Sequence, residues 1–423
     1  MDILLSKKKK TTLAEIKASP EANTYPMYVK DPIIKDAMIN YVTYTLAGRS
    51  INQDHLIRRF SDFFALREKL VERWPGVFIP SIPPKKAVGN LDPKNVDHRM
   101  RLLNDFCYKL SQYPFLMNSE EVQLFQSATG DCGKSISALS KMSYADILQK
   151  YQSTFTNYYE NYDIILGKGK MIELSSFLKR ALKNIKAFKE TVTTAYSRSE
   201  TELERYISLM KSIEEYETKT LSEYAENSNR LIFTNGDKSD IIDRISELDT
   251  TLLNPFKYLV DWVESEEMDL EAMLETIEGL TGLNTTMEKL QQKIDSIDRD
   301  LKNGTYEKKG FMKIFATEKN SKEGLEKQRQ KCEEDIEKLK MILKIAHCNM
   351  ECQFVHFKED KVKMYHKNIK LYAVTQRGNN KFLEDLWKDI KNNLILIRGG
   401  QFQQPQEIPV QEENYIFCYY KRL

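Results

Sequence analysis

Ile57-Arg58-Arg59-Phe60-Ser61-Asp62-Phe63 joins two kinds of pattern. Upstream, Tyr41, Thr43 and Thr45 alternate with Val42, Tyr44 and Leu46 between the turn signals Asp31-Pro32 and Gly48. A period of two predicts a short strand there, and His55 to Arg59, reached through the polar turn Asn52 to Asp54, predicts another. Downstream, Phe63, Leu66, Leu70 and Val71 recur at helical spacing as far as Trp74, with Ser61 as the expected N-cap. Two arginines at a strand end, then an aromatic and a helix start, set guanidinium forks and a flat ring at one rim. Such a rim suits a phosphorylated ring, because a planar guanidinium grips two phosphate oxygens at once. An isolated Arg-Arg-Phe is more often two solvated arginines beside a core ring, so the reading depends on what accompanies it.

Two further features follow in order. Pro80-Ser81-Ile82-Pro83-Pro84-Lys85-Lys86 cannot be helical. Helical runs from Val96 to Leu110 and from Glu120 to Phe125 then complete an α+β unit of ordinary domain size. Asp131 to Lys141, rich in Ser, Gly and Lys, reads as a linker.

Beyond it, proline placement takes over. After Pro114 the next proline is Pro255, and the next after that is Pro405. An interior proline costs a helix about 3 kcal/mol, so these stretches read as three long helices: Ser143 to Leu231, Ile241 to Leu301 and Lys322 to Leu396. The breaks fall at Asn235-Gly236 and Asn303-Gly304. At ~1.5 Å per residue each is on the order of 90 to 130 Å long. Helices of that length bury their apolar stripes only on one another, as an antiparallel three-helix coil, and on a second copy. One stripe is Leu252, Phe256, Leu259, Val263, Leu270, Leu274 and Ile277; Pro255 within it predicts a kink.

Composition sets limits. With 64 basic and 62 acidic residues, no global field draws the chain to nucleic acid or to an anionic bilayer, so any attraction to phosphate is local. Six cysteines without framework spacing point to a reduced, cytosolic setting, and no apolar run approaches the roughly 20 residues of a spanning helix. Residues 1–22 read as a disordered basic arm, in the reverse order of a secretory signal, and the Gln- and Pro-rich residues 399–423 as a disordered tail.

Taken together, the motifs resemble the PX family. Arg58-Arg59-Phe60-Ser61-Asp62-Phe63 is similar to its Arg-Arg-Tyr-Ser-Asp-Phe element, and Pro80 to Lys85 to its proline-rich loop ending in Lys. Arg99, in Asp97-His98-Arg99-Met100, falls where the family carries the Arg that opens its next helix. The resemblance implies a pocket for phosphatidylinositol 3-phosphate in which Arg59 binds the 3-phosphate, Phe60 stacks under the inositol ring, Lys85 contacts the 1-phosphate and Arg99 the 4- and 5-hydroxyls. Arg58 and Lys86 would support it. Phe60 departs from the commoner Tyr, and Lys86 leaves the lysine position ambiguous by one.

Residues 143–398 resemble the BAR domains of PX-BAR sorting nexins, through Leu252-Leu253-Asn254-Pro255-Phe256 and Phe357-Lys358-Glu359-Asp360-Lys361-Val362. Gly310 to Phe315 and Leu371 to Gln376 are most like the sorting nexin 4 branch. The expected fold is thus an α+β PX domain, 23–128, a linker, 129–142, and an all-α BAR domain of three long antiparallel helices, 143–398.

Lys308, Lys309, Phe311, Lys313 and Phe315 would combine basic residues with an apolar wedge at one tip, a membrane contact weighed against a solvated loop. Cys348, Cys352 and His356 lie on one helix face, but a span of eight helical residues is ~12 Å, too long for ligands that converge within ~2.3 Å of zinc; no metal or cofactor is expected. The resemblance implies a non-enzymatic protein, peripheral on early endosome membranes, that forms a homo- or heterodimer with another PX-BAR protein, engages cargo and supports curvature in sorting and recycling, with a link to autophagy. The competing reading is a coiled-coil tethering or cytoskeletal protein whose front domain binds protein.

Overall fold

The computed structural model describes residues 26–36, 38, 40–51, 56–85, 91–155, 162–224, 231–233, 239–303 and 322–398. The expected arm and tail, Lys86, and the tip residues Lys308, Lys309, Phe311, Lys313 and Phe315 lie outside them. The chain forms two compact units, Met1–Lys189 with Asp261–Tyr365, and Glu190–Val260 with His366–Leu423.

The first unit opens with an antiparallel sheet, β1 (Tyr28–Lys35), β2 (Tyr41–Ala47) and β3 (Leu56–Arg59), in that order. β1 was not anticipated. Its Asp31-Pro32 reads in sequence as a turn, whereas it forms a bulge inside the strand: the β1–β2 register shifts between Lys30 and Ile33, and Asp31 takes φ of +48°. Proline cannot donate to the ladder, so a bulge is where a strand tolerates one. Gly48, at φ +136°, ends β2 where a Cβ would stand 2.4 Å from the Pro26 carbonyl oxygen.

α1 (Phe60–Arg73) buries Phe63, Leu66 and Leu70 against this sheet. The expected Ser61 cap does not form. Arg59 is the N-cap, and the Asp62 carboxylate accepts its backbone N–H at 2.9 Å. α2 (Pro93–Ser111) is capped by Asp92 with Pro93 in its first turn. Short helices follow at Pro114–Met117 (α3) and Glu120–Ser127 (α4), the latter capped by Ser119. The expected linker instead contains α5 (Cys132–Ser137), which sinks Cys132 and Ile136 into the core. α6 (Tyr144–Thr154), opened by the reciprocal pair Ser143 and Asp146, stacks Tyr151 on Trp74.

The first long tract is therefore not one helix: α6 ends at Thr154, and α7 runs Ile164–Tyr216 before a π-helical turn, Glu217–Leu221, and Ser222–Tyr224. The second tract is also divided, into α8 (Ser239–Ser246), α9 (Leu248–Thr251) and α10 (Lys257–Lys302); α11 is Lys322–Arg398. Where a kink was expected at Pro255, the helix opens fully. Asn379 satisfies the freed backbone, accepting from the Leu253 N–H at 3.2 Å and donating to its carbonyl at 2.6 Å.

Ion pairs fix the helix directions in the first unit. Lys168 pairs with Glu288 and Lys186 with Glu271, so α10 runs antiparallel to α7. Arg329 pairs with Asp298 and Lys361 with Glu266, so α11 also opposes α10.

A single apolar cluster runs from Met27 in the sheet lobe to Phe357 in α11. Gly76, at φ +80°, marks the closest approach: a Cβ there would sit 2.4 Å from the Leu280 side chain of α10 and 3.2 Å from Ala346 of α11. Arg67 pairs with Glu275, His98 with Glu264 and Arg101 with Asp261 across the same seam. At its centre Lys109 reaches Asp105 at 2.6 Å and Asp269 at 2.7 Å, while Lys361 joins Asp269 and, at 3.0 Å, Glu266. Burial would strip Lys109 of its proton, but Asp269 and Asp105 more than offset it and hold its pKa above the ordinary lysine value.

The second unit has its own core. Met210, Phe233, Ile241, Ile245, Leu248, Leu252, Leu386 and Ile390 are buried together.

Candidate functional site

β3 delivers two adjacent arginines into opposite environments. Leu56 and Arg58 are buried and Ile57 is exposed, as the period of two requires. Arg58 is 2% exposed, and its guanidinium donates to the carbonyls of Phe125 at 2.6 and 2.9 Å, Ala128 at 2.8 Å and Ile57 at 2.7 Å. These include carbonyls at the end of α4, which have no helical partner of their own. Arg58 is thus bound up in the fold.

Arg59 faces out, with its side chain 42% exposed. Its guanidinium lies 3.5 Å from Asp62 and 3.4 Å from Asp131, the residue that caps α5. These contacts border a cavity of about 560 Å³ lined also by Tyr41, Thr43, Thr129 and Gly130. Phe60, Lys85 and Arg99 do not line it.

Those three take part instead in two cation–ring contacts along α1. The Arg99 guanidinium lies 4.8 Å from the centre of the Phe60 ring, and the Lys85 ammonium 3.3 Å from that of Phe64. Phe60 and Phe64 are one helical turn apart, so α1 presents two aromatic faces in a row, each carrying a cation. Arg99 is 8% exposed beside the buried Tyr44, whose phenol burial pushes up and Arg99 partly restores. The structure therefore joins Phe60 to Arg99, sets Lys85 one turn along, and directs Arg59 toward Asp131. Sequence reasoning missed Phe64, readable as the i+4 partner of Phe60, and Asp131, which no local pattern connects to Arg59.

The fold agrees with comparison to known proteins. Residues 47–129 match the PX domain family. The chain is 27% identical over 168 residues to sorting nexin 1 of Arabidopsis thaliana, covering 37% of this chain and 41% of that one. It is 38% identical over 97 residues to sorting nexin MVP1 of Candida albicans, covering 22% and 13%, and 28% identical over 117 residues to human sorting nexin-4, covering 26% of each. The matches thus span less than half the length of these relatives. Among solved structures, the SNX-BAR Mvp1 tetramer shares the fold with a TM-score of 0.58 at 14% identity, over 86% of this chain and 100% of that one. A PX domain with a small sheet, continued by long antiparallel helices of the SNX-BAR kind, is the class defined here. Residues 47–129 thus form a PX domain, the long helices share the fold of an SNX-BAR protein, and sorting nexins, sorting nexin-4 among them, are what the chain is similar to.

Proposed function

We propose that this chain is a non-enzymatic, peripheral membrane protein that binds phosphatidylinositol 3-phosphate and works as a dimer in endosomal sorting and recycling. The observation that carries the reading is the row of cations on the aromatic faces of α1, Arg99 on Phe60 and Lys85 on Phe64, beside the outward-facing Arg59. In this reading Arg59 grips the 3-phosphate, Phe60 stacks beneath the inositol ring, Lys85 meets the 1-phosphate and Arg99 the ring hydroxyls, with Arg58 and Lys86 in support. Arg59 must then leave Asp131. Its contacts to Asp131 at 3.4 Å and Asp62 at 3.5 Å are long for charge-assisted bonds, and a phosphate offers shorter ones.

The helical region supports pairing with a second copy or another PX-BAR protein. In the first unit Phe177 and Val355 stand 47% and 49% exposed at an apolar hollow shared with Met171, Leu174 and Phe354. A dimer presenting two pockets to one surface gains avidity of about 100-fold or more. Residence on early endosomes, cargo engagement, curvature support through Lys308, Lys309, Phe311, Lys313 and Phe315, and a link to autophagy belong to the same reading.

Flotation with vesicles containing phosphatidylinositol 3-phosphate, against vesicles with unphosphorylated phosphatidylinositol, tests it. Arg59→Ala is expected to cut binding at least tenfold, with the helical circular dichroism and the dimer mass unchanged. Equal flotation of the variant would remove the pocket.

A further inference from the structure

A second cavity lies on the seam, away from the headgroup rim. It encloses about 460 Å³ between Phe78, the segment Gln112 to Phe115 after α2, Asp269 of α10, and α11 from Asn349 to Lys363. That volume is within the roughly 300 to 1,000 Å³ of ordinary ligand pockets. Its walls are aromatic: Phe78 meets Tyr113 and Phe357 edge to face at 6.2 and 5.6 Å, and Tyr113 meets Phe115 at 6.0 Å.

Gln353 and Asp269 line it, and each carries a buried polar atom, of opposite sense, with no hydrogen-bond partner among the described residues: the Gln353 Nε2 and the Asp269 Oδ1. Gln353 is 3% exposed and Asp269 2%. The amide orientation of Gln353 is not arbitrary. A backbone N–H only donates, and the Phe78 N–H lies 3.0 Å from Gln353 Oε1, which also accepts from Asn349 at 3.2 Å. The Nε2 group is thereby left as an unused donor. Asp269 uses its other oxygen for Lys109 and Lys361, which leaves Oδ1 as an unused acceptor. An unsatisfied buried group costs about 1 to 3 kcal/mol, and apolar residues of similar size would avoid it.

The charges around the cavity cancel, Lys109, Lys361 and Lys363 against Asp269, Glu359 and Asp360. An anion or a cation thus gains no net attraction. What fits is a neutral group that accepts from Gln353, donates to Asp269 and fills an aromatic hollow. A peptide backbone offers both functions along its length, and an apolar or aromatic side chain fills the hollow.

We propose that this cavity is a docking site for a short peptide segment of a partner protein, anchored by an aromatic or large apolar side chain. The site is independent of the lipid rim, so the full-length chain engages peptide with or without a membrane. The exposed Cys352 thiol lines the cavity and reports occupancy.

N-acetyl-phenylalaninamide serves as the probe, with ethylbenzene lacking the amides and N-acetyl-glycinamide lacking the ring. On the full-length protein, saturation-transfer NMR is expected to show the ring of the first probe bound, with each stripped probe at least fivefold weaker. The probe should also slow alkylation of Cys352 at least threefold by peptide-resolved mass spectrometry. Gln353→Glu keeps an acceptor for the Phe78 N–H but removes the donor, and should weaken the probe at least tenfold. Should that variant not fold, Cys352→Trp at the exposed mouth occupies the hollow and should abolish probe binding by NMR. Binding that is as strong for ethylbenzene, that leaves Cys352 unprotected, or that survives both substitutions overturns the proposal. Since no lipid enters the assay, its failure is separate from failure of the headgroup pocket.

Discussion

The rim at the start of α1 and the ion cluster at the centre of the seam use the same residue types to opposite ends. At the seam, Lys109 and Lys361 hold carboxylates at 2.6 to 3.0 Å, and the shared Asp269 is 2% exposed. At the rim, Lys85 and Arg99 lie on aromatic rings, and Arg59 is half-exposed against carboxylates at 3.4 to 3.5 Å. A cation neutralised at short range in the interior is part of the scaffold. One held by the face of a ring keeps its charge without a carboxylate to neutralise it, as the exposed Lys85 does on Phe64. The neighbours Arg58 and Arg59 show the same division within two residues.

The largest effect that tests this contrast is at the seam. Asp269→Ala removes the carboxylate that two buried ammonium groups share, leaving Lys109 on Asp105 and Lys361 on Glu266, and should cost about 3 kcal/mol of stability in urea unfolding; a loss below about 1 kcal/mol would mean that water screens the cluster. Arg58→Ala should cost about 2 to 3 kcal/mol, since several carbonyls lose a charged donor, whereas Arg59→Ala should stay within about 0.5 kcal/mol. Similar losses for the two arginines would erase the distinction between them.

Lys150 provides an intermediate case. It donates to the Arg73 carbonyl at 2.6 Å and lies 3.9 Å over Trp74, with its nearest carboxylate, on Glu121, 4.0 Å away. Burial pulls its pKa down to about 8, against the opposing pull of Glu121 and with help from Arg73. The folded value lies below the ordinary 10.5, so between these two pH values the unfolded chain binds more protons and this group's contribution to stability rises with pH. Below about 8 the contribution is flat. Lys150→Met should flatten the slope of unfolding free energy across that window; an unchanged slope would show that the amine is solvated. The smallest effect is at the rim, where Phe64→Leu removes the ring under Lys85. It should weaken flotation about two- to fivefold, as loss of an exposed cation–π contact of about 0.5 to 1 kcal/mol implies, and no change would separate Phe64 from the lipid site.

How much of this was legible in the sequence depends on how local each signal is. The inward direction of Arg58 follows from the strand period it shares with Leu56, but its partners stand 67 and 70 residues downstream and no short-range pattern names them. The helix α5 is only weakly signalled, by Ile136 in a stretch of poor periodicity, because its apolar residues Cys132 and Ile136 are outnumbered by Ser, Gly and Lys that only tertiary burial overrides. The bulge at Asp31-Pro32 was mistaken for a turn because both motifs need the same residues. The antiparallel order of the long helices was readable from proline spacing and turn signals, whereas the break around Pro255 was underestimated: a proline alone predicts a bend, but Asn379 stabilises a fully open backbone.

The bond between the Phe78 N–H and Gln353 spans 275 residues. At translation rates of about 5 to 20 residues per second, the amide waits on the order of 15 to 55 seconds for its partner to be synthesised. Until then the side of Phe78 and Gly76 that meets Phe357, Leu280 and Ala346 lacks its cover on the nascent chain. That interval is when premature sticking competes with correct assembly.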